Sequence, residues 1–315
     1  MKVGIVGAGQ VGSACLMSLI LRGVAREIVL VNRDRKRSDG VITDMQYGSV
    51  LAPRVSLKAG EYADLKGASL VMITAGVNEK EGGATDRKDP KGRLRLLAKN
   101  AEIYREMVPQ IHEAAPESII LVVTDPPDPL ADVAREVGHN KVLSTGTYLD
   151  SMRFRFHLAR RLKADPAYVD AMVLGEHGTS SVFLWSSARV GGRPVLDVLC
   201  ESGQEPAAVR EDVEKEVRYA NITIIEGIGA SQYGIGIVCA SIAEMILRDT
   251  RAVIPIGAYY EKYGVTLSVP SVVGAGGVLR VIEPTMSKEE EQALKRSAEA
   301  IRKALDEVEE ERKIA

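Results

Sequence analysis

The sequence predicts an α/β fold in which a doubly wound parallel sheet is followed by an α+β domain. Short runs rich in Val, Ile and Leu alternate with helical periodicity over roughly the first 145 residues, as buried parallel strands and crossover helices do. Three glycines, Gly7, Gly9 and Gly12, follow directly after the first of these runs. Beyond Thr147 the pattern changes to hairpins mixed with long helices, so we expect domains at 1–147 and 148–315.

The predicted elements follow from this patterning. In the first half, a helix over Gln10–Leu21 separates the first two of five short apolar strands: Lys2–Val6, Glu27–Val31, Ser69–Thr74, Ser118–Thr124 and Lys141–Ser144. In the second half, we expect a helix at Tyr148–Leu162, a strand at Tyr168–Leu174, a hairpin from Ser181–Val190 through a Gly191-Gly192 turn, helices at Glu205–Glu226 and Gly234–Arg248, strands near Ala252–Gly257 and Val278–Ile282, and a final helix over Ser287–Glu309. Ser287 and Glu290 have the spacing of a capping box at the start of this last helix.

The glycines have the spacing G-x-G-x-x-G between a strand and a helix, which is typical of a Rossmann dinucleotide site. The first glycine permits a tight turn, the second lets backbone N–H groups approach a pyrophosphate, and the third allows close packing of helix on strand. We therefore expect NAD or NADP to bind here. The expected contacts are Gly7, Gly9, Gln10, Val11, Gly12, Asn32, Arg33, Thr74, Ala75 and Gly76.

Composition narrows the class of protein. The 41 Lys and Arg nearly balance the 43 Asp and Glu, so the net charge of −2 favours neither a nucleic-acid nor a membrane partner. Cys15, Cys200 and Cys239 are far apart in the sequence, as expected of reduced thiols in the core rather than of disulfides. The sequence shows no cluster of metal-ligand residues and no apolar run long enough to span a membrane. A soluble, cytoplasmic protein without a metal, acting on a small molecule, is expected.

One loop carries a candidate acid–base group. His177 follows the predicted strand Tyr168–Leu174 and stands between Gly175 and Gly178 in Gly175-Glu176-His177-Gly178. Imidazole has a reference pKa of about 6.5 and exchanges protons near neutral pH. Asp150 and Arg153 lie three residues apart on one face of a predicted helix, so a carboxylate could orient His177 while the guanidinium binds a substrate carboxylate. A surface ion pair is the alternative for Asp150 and Arg153.

A long charged segment, Gly76–Gly92, separates the strand Ser69–Thr74 from the next helix. Its glycines, Pro90 and position after a parallel strand are typical of a lid over a site at the carboxyl edge of the sheet. A tolerated surface insertion is the alternative.

Several motifs together resemble the L-lactate/malate dehydrogenase family. They are the glycine turn, the Arg87 and Arg93 loop, Thr124-Asp125-Pro126-Pro127-Asp128, Gly146-Thr147-x-Leu149-Asp150-x-x-Arg153-Phe154, Gly175-Glu176-His177-Gly178, Gly229-Ala230-Ser231-Gln232-Tyr233-Gly234 and Ser268-Val269-Pro270-Ser271. The resemblance covers essentially the whole chain. It implies hydride transfer between NAD(P)H and a small 2-oxoacid, and a homodimer or homotetramer.

The resemblance also assigns roles to residues. It implies that His177 is the general acid–base group, that Asp150 orients it, and that Arg153 holds the substrate carboxylate. Arg93 would polarise the substrate carbonyl, and Ser231 would line the pocket. A nucleotide-binding protein of this fold that has lost catalysis is the alternative of another class.

Two positions depart from the family. Asp125 stands where the family usually has Asn, near the reacting oxygen, and a carboxylate there accepts hydrogen bonds but donates none. Asn32 stands where NAD-dependent members carry an acid that binds the adenosine ribose, and Arg33 follows it. Loss of that negative charge predicts that NADP(H) is accepted. Retention of the NAD ribose contact by Asn32 is the alternative.

The lid indicates a substrate. Arg87 lies six residues before Arg93, the same offset that separates the two lid arginines of malate-specific relatives. In that register, Arg87 binds the far carboxylate of oxaloacetate or malate. L-lactate or another 2-hydroxyacid is the alternative, in which the lid insertion shifts Arg87 into solvent.

Overall fold

The computed structural model describes residues 1–78 and 92–314 of the 315-residue chain, and for residues 92–94 it describes only the backbone. The strands are β1 (Lys2–Val6), β2 (Glu27–Val31), β3 (Ser56–Gly60), β4 (Leu70–Ile73), β5 (Ile119–Val122), β6 (Val142–Ser144), β7 (Val169–Asp170), β8 (Val173–Leu174), β9 (Val182–Phe183), β10 (Arg189–Val190), β11 (Arg193–Pro194), β12 (Ala252–Tyr260), β13 (Val265–Gly274) and β14 (Gly277–Val281). The helices are α1 (Gln10–Arg22), α2 (Arg35–Ser49), α3 (Gly92–Ala114), α4 (Pro127–Glu136), α5 (Tyr148–Leu162), α6 (Val195–Glu201), α7 (Pro206–Arg218), α8 (Ala220–Ile228), α9 (Tyr233–Leu247) and α10 (Lys288–Ile314).

Within these described residues, the largest sheet has nine strands in the order β14-β13-β12-β6-β5-β4-β1-β2-β3. The six strands from β6 to β3 are all parallel, which confirms the predicted doubly wound sheet. The antiparallel strands β12, β13 and β14 extend the same sheet, since Gly257 of β12 pairs with Ser144 of β6. The second half of the chain therefore continues the sheet of the first half.

Helices cover both faces of the parallel strands, so each strand is buried on two sides. Strand β2 shows this directly, because Ile28 and Leu30 pack into the core beneath α1 and α9, while Val29 and Val31 pack into the core beneath α3 and α4. Burial on both faces explains the uninterrupted apolar runs from which the sheet was predicted.

The glycine turn forms for the reasons that its spacing implies. Gly7 has a backbone φ of 115°, a value that residues other than glycine rarely adopt. A Cβ on Gly12 would lie 2.0 Å from the carbonyl oxygen of Gly7, so only glycine lets α1 approach β1 this closely. At Gly9 a Cβ would meet no described heavy atom within 4 Å, which leaves the backbone open to a ligand.

Some element boundaries differ from the sequence prediction. The predicted strand Tyr168–Leu174 is split into a short 3-10 helix, Pro166–Tyr168, and the two-residue strands β7 and β8. The predicted helix Glu205–Glu226 is broken at Tyr219 into α7 and α8. Helix α7 packs three valines into a core cluster, whereas α8 buries Ile225 alone. The Gly191-Gly192 hairpin between β10 and β11 is confirmed.

Two strands, β3 and β13, were not predicted. The alternating polar residues of β3, and Pro270 with the two serines of β13, hide these strands from a search for apolar runs. The capping box of the last helix is confirmed, with Ser287 and Glu290 each bonding the other's backbone N–H. Among the described residues, no single helix is long and apolar enough to cross a membrane, although the bent pair α8 and α9 would pass together by length and composition.

Candidate active site

A cavity of about 1150 Å³ runs along the carboxyl edge of the parallel strands, from the glycine turn to His177. This is where ligands bind in open α/β sheets. Both halves of the chain line it, and the residues that matter below are Gly7, Gly9, Gln10, Val11, Asn32, Arg33, Arg37, Thr74, Ala75, Gly76, Asp125, His177, Asn221 and Ser231.

The loop that carries His177 is anchored on both sides. Gly175, with a φ of 80°, exchanges two backbone hydrogen bonds with Ser268 of β13, at 2.9 and 3.0 Å. Ser297 of α10 accepts a hydrogen bond from the backbone N–H of Glu176 at 2.8 Å. These contacts fix the backbone from which the His177 side chain projects into the cavity.

His177 and Asp150 form a close pair. Nδ1 of His177 lies 2.6 Å from Oδ2 of Asp150, and since an ionised carboxylate only accepts, Nδ1 carries the proton. Burial raises the pKa of the Asp150 carboxyl, but the positive charges of His177 and Arg153 outweigh burial and hold this pKa below its usual range. Asp150 therefore stays ionised and fixes the tautomer that leaves Nε2 of His177 for proton exchange.

Arg153 completes the group. It comes from α5, one turn after Asp150, and its Nη1 donates to Oδ1 of the same carboxylate at 3.0 Å. Its Nη2 lies 3.5 Å from Oγ of Ser231. His177 and Ser231 line one end of the cavity, and Asp150 and Arg153 lie directly against them, so the four predicted residues are brought together. Both Asp150 and Arg153 are largely buried, so they do not form the alternative surface ion pair.

Asp125 also reaches this end of the cavity. Its Oδ1 lies 4.0 Å from Nε2 of His177, beyond hydrogen-bond length but within the range in which a carboxylate and an imidazolium attract each other. Asn100 donates to the backbone carbonyl of Asp125 at 2.9 Å, and the Asp125–Pro126 peptide is cis. The imidazole of His177 therefore stands between two carboxylates.

At the opposite end, Asn32 follows β2 and faces the glycine turn. Its Oδ1 accepts from the backbone N–H of Ala8 at 3.0 Å, and its Nδ2 donates to the Asp34 carbonyl at 2.9 Å. Arg37 donates from Nε to the Ala8 carbonyl at 2.7 Å. The side chain at position 32 is thus neutral and partly used to hold the turn.

Two arginines of the basic run after Asn32 differ in their contacts. Arg35 is held by Asp39, Glu61 and the Ala59 carbonyl. Arg33 is exposed and lines the cavity, and in the described part of the chain no side chain bonds it. Arg33 is therefore available to a ligand.

The ten residues expected to contact the cofactor fall into two groups, those that line the cavity and one that lies behind the glycine turn. Nine of the ten line the cavity, whereas Gly12 supports the turn from behind by packing against Gly7. Thr74 does both, since it lines the cavity and donates from Oγ1 to the Gly7 carbonyl at 3.0 Å.

Comparison with known proteins identifies the family. Residues 1–143 match the family model described as "lactate/malate dehydrogenase, NAD binding domain", and residues 147–312 match "lactate/malate dehydrogenase, alpha/beta C-terminal domain". The chain belongs to the lactate/malate dehydrogenase family. It is therefore an NAD-binding oxidoreductase, as the sequence motifs predict.

Named relatives of this dehydrogenase are similar over nearly their whole length. L-lactate dehydrogenases of Deinococcus radiodurans and Thermus aquaticus are 41% and 40% identical, with 96% of this chain covered in both cases and 97% and 98% of theirs. The solved structure of MGS-M5, a lactate dehydrogenase from a Medee basin deep-sea metagenome library, has a TM-score of 0.90 at 33% identity. The minor L-lactate dehydrogenase of Enterococcus mundtii gives 0.89 at 33%, and both comparisons cover 98% of each chain.

The dehydrogenase's cavity suits the cofactor that the family model names. The open space beside Gly9 lets backbone N–H groups at the start of α1 face a pyrophosphate, and the positive end of the helix dipole adds to the attraction. In the described residues, no group of three or more His, Cys, Asp or Glu side chains could hold a metal ion.

Sequence reasoning missed Asp128 as a functional residue of this dehydrogenase. It is fully buried at the start of α4, accepts from the backbone N–H of His177 at 2.7 Å, and accepts from Oγ of Ser144 at 2.5 Å. Burial raises the pKa of its carboxyl to about 7. Its place in the Thr124–Asp128 motif was the available signal, but only the tertiary structure shows that it anchors the His177 backbone.

Asn221 was missed as well. It lies on α8, lines the cavity, and accepts from Nη2 of Arg153 at 2.6 Å. The sequence gives no signal for this contact, because α5 and α8 are distant in the chain. Arg87 and most of the predicted lid lie outside the described residues, as does the side chain of Arg93.

Proposed function

We propose that this protein is an NAD(H)-dependent L-lactate dehydrogenase that interconverts pyruvate and L-lactate. The observation that carries the chemistry is the 2.6 Å pair of His177 and Asp150, placed beside Arg153 at the end of the cavity. The named relatives at 41% and 40% identity, both L-lactate dehydrogenases, support lactate as the substrate.

In the proposed mechanism, Arg153 binds the carboxylate of the 2-oxoacid and thereby sets the position of its carbonyl group. Bound NADH supplies the hydride that the carbonyl carbon receives. His177 donates its Nε2 proton to the oxygen as negative charge develops there, and Asp150 stabilises the imidazolium before the transfer. In the reverse direction, neutral His177 accepts the hydroxyl proton.

The remaining predicted roles belong to the same proposal. Arg93 stabilises the developing negative charge on the carbonyl oxygen, and Ser231 lines the substrate pocket beside Arg153. Retention of the His177 and Asp150 pair speaks against a catalytically silent nucleotide-binding protein, because binding alone does not require it.

Oxaloacetate and malate are the second candidate substrate pair. The offset of six residues between Arg87 and Arg93 favours them, since a second guanidinium could bind a far carboxylate. Against this, the relatives and solved structures named in the comparison are all lactate dehydrogenases. We therefore rank lactate first and malate second.

Absorbance of NADH tests both candidates. Purified protein is mixed with NADH and either pyruvate or oxaloacetate, and kcat/KM is compared. We expect reduction of pyruvate, and loss of that activity in His177→Asn. Failure of the wild-type protein to reduce either acid would contradict the proposal, and a large preference for oxaloacetate would assign malate.

Two further expectations join this proposal. The neutral Asn32 and available Arg33 support acceptance of NADPH as well as NADH. A homodimer or homotetramer in the cytoplasm is proposed on family resemblance, and light scattering of the purified protein would measure the assembly.

A further inference from the structure

The side chain of Asn221 lies against the guanidinium of Arg153. Nη1 of Arg153 donates to Asp150 at 3.0 Å, and Nη2 donates to Oδ1 of Asn221 at 2.6 Å. Because guanidinium only donates, the contact fixes the amide orientation, with oxygen toward Arg153. No described residue bonds the Nδ2 of Asn221, although the residue lines the cavity.

Hydrogen bonds to both Asp150 and Asn221 restrict the guanidinium of Arg153 more than either bond would alone. The bond to Asp150 alone would leave the guanidinium plane free to rotate about that contact. The second bond comes from another helix and fixes the plane, in a side chain that is only 12% exposed. A fixed guanidinium binds a carboxylate with less loss of side-chain entropy.

The neutrality of Asn221 also matters. Asp150 already places one negative charge on Arg153 and shares it with His177 through its other oxygen. A second carboxylate at position 221 would repel an incoming substrate carboxylate and cancel the attraction of the guanidinium. An amide oxygen supplies the hydrogen bond without that charge.

Asn221 also stands at the end of a chain of contacts that runs through Arg153 and Asp150 to His177. A displacement of Arg153 therefore changes the binding of the substrate carboxylate first. Asp150 and His177 keep their own 2.6 Å contact, so proton transfer is less affected.

We propose that Asn221 is a positioning residue that holds Arg153 in the orientation that receives the carboxylate of the 2-oxoacid. This inference rests on the proposed 2-oxoacid reductase activity. It adds a residue to the site.

The first test compares KM and kcat for pyruvate in Asn221→Ala and Asn221→Asp. We expect Asn221→Ala to raise KM about tenfold, as for loss of a hydrogen bond to a charged group, with kcat changed by less than about threefold. Asn221→Asp can still accept the bond but adds a charge, so its KM should rise further. Thr223→Ala, at an exposed position of the same helix, is the matched control.

The second test is a double-mutant cycle. If Asn221 acts through Arg153, Asn221→Ala should change pyruvate KM by less than about twofold in an Arg153→Lys background. Should that background be too slow for kinetics, binding of oxamate, an unreducible 2-oxoacid analogue, to the enzyme with NADH gives the same comparison. Affinity for NADH alone should not change in any of these variants.

The outcomes separate the two proposals. Wild-type protein that reduces no 2-oxoacid contradicts the proposed function. If the wild-type protein is active and the pyruvate KM of Asn221→Ala lies within about twofold of the wild-type KM, the proposed role of Asn221 is wrong. The proposed function is then unaffected. Additive effects in the cycle overturn action through Arg153, and a wild-type KM in Asn221→Asp overturns the requirement for a neutral acceptor.

Discussion

Oδ1 of Asp125 lies 4.0 Å from Nε2 of His177, the ring nitrogen that does not contact Asp150. The imidazole therefore has a carboxylate near each nitrogen. Because residue 125 is an aspartate rather than a neutral amide, this dehydrogenase carries a second negative charge beside His177.

This charge leads to the first prediction. A carboxylate at 4.0 Å favours protonated His177, the form needed for reduction of a 2-oxoacid. Asp125→Asn should therefore move the fall in reductive kcat/KM toward lower pH, and it should let oxidation of the hydroxyacid begin at lower pH. The measurement is kcat/KM against pH in both directions.

The control for this prediction is Glu106→Gln, which removes a carboxylate from α3 elsewhere on the cavity wall. It should leave both profiles in place. An Asp125→Asn profile that overlays the wild type would show that Asp125 acts only through its backbone contacts.

The second prediction concerns Asp128 and stability. Its pKa is about 7 in the folded protein, against about 4 in an unfolded chain, because burial disfavours the charge. The folded state therefore binds the proton more tightly, so stability from this group is present below about pH 4 and is lost as pH rises toward 7. The pKa difference corresponds to about 4 kcal/mol.

Asp128→Asn tests this linkage with little change in shape. Because the amide can still accept from His177, we expect the variant to fold and to gain stability relative to wild type as pH rises between about 5 and 8. Urea unfolding across this range measures the difference. Exposed Asp197→Asn serves as the control, and a difference between Asp128→Asn and wild type that is independent of pH would argue against a buried, protonated carboxyl.

How far the sequence predicts this molecule depends on how local each signal is. The parallel sheet follows from the apolar runs, and the glycine turn follows from positions at which the backbone geometry accepts only glycine. Asp150 and Arg153 were paired correctly because one helical turn separates them. By contrast, Asp128 and Asn221 gain their roles from residues 49 and 68 positions away in the chain, a distance over which a single sequence carries no pattern.

The third prediction concerns the cofactor. An acid at position 32 would repel the 2′-phosphate of NADPH, whereas Asn32 is neutral and Arg33 lines the cavity beside it. We expect Asn32→Asp and Arg33→Ala each to lower kcat/KM for NADPH by about tenfold or more while changing NADH much less.

Lys36→Ala is the matched control for the cofactor prediction, since Lys36 belongs to the same basic run and is exposed. It should alter neither cofactor's kinetics. A wild-type preference for NADH that Arg33→Ala leaves untouched would mean that Asn32 serves the ribose of NAD and that the basic run is simply solvated.

The last prediction concerns the second candidate substrate and tests Arg87, which lies outside the described residues. If Arg87 binds a far carboxylate, Arg87→Gln should lower the ratio of kcat/KM for oxaloacetate to that for pyruvate by several powers of ten, because pyruvate leaves a buried guanidinium unpaired and the amide does not. Lys88→Gln, which removes the neighbouring positive charge, should leave the ratio unchanged. If pyruvate is the physiological substrate and the insertion holds Arg87 in solvent, the ratio will be the same in both variants and in wild type, and the malate assignment will be wrong.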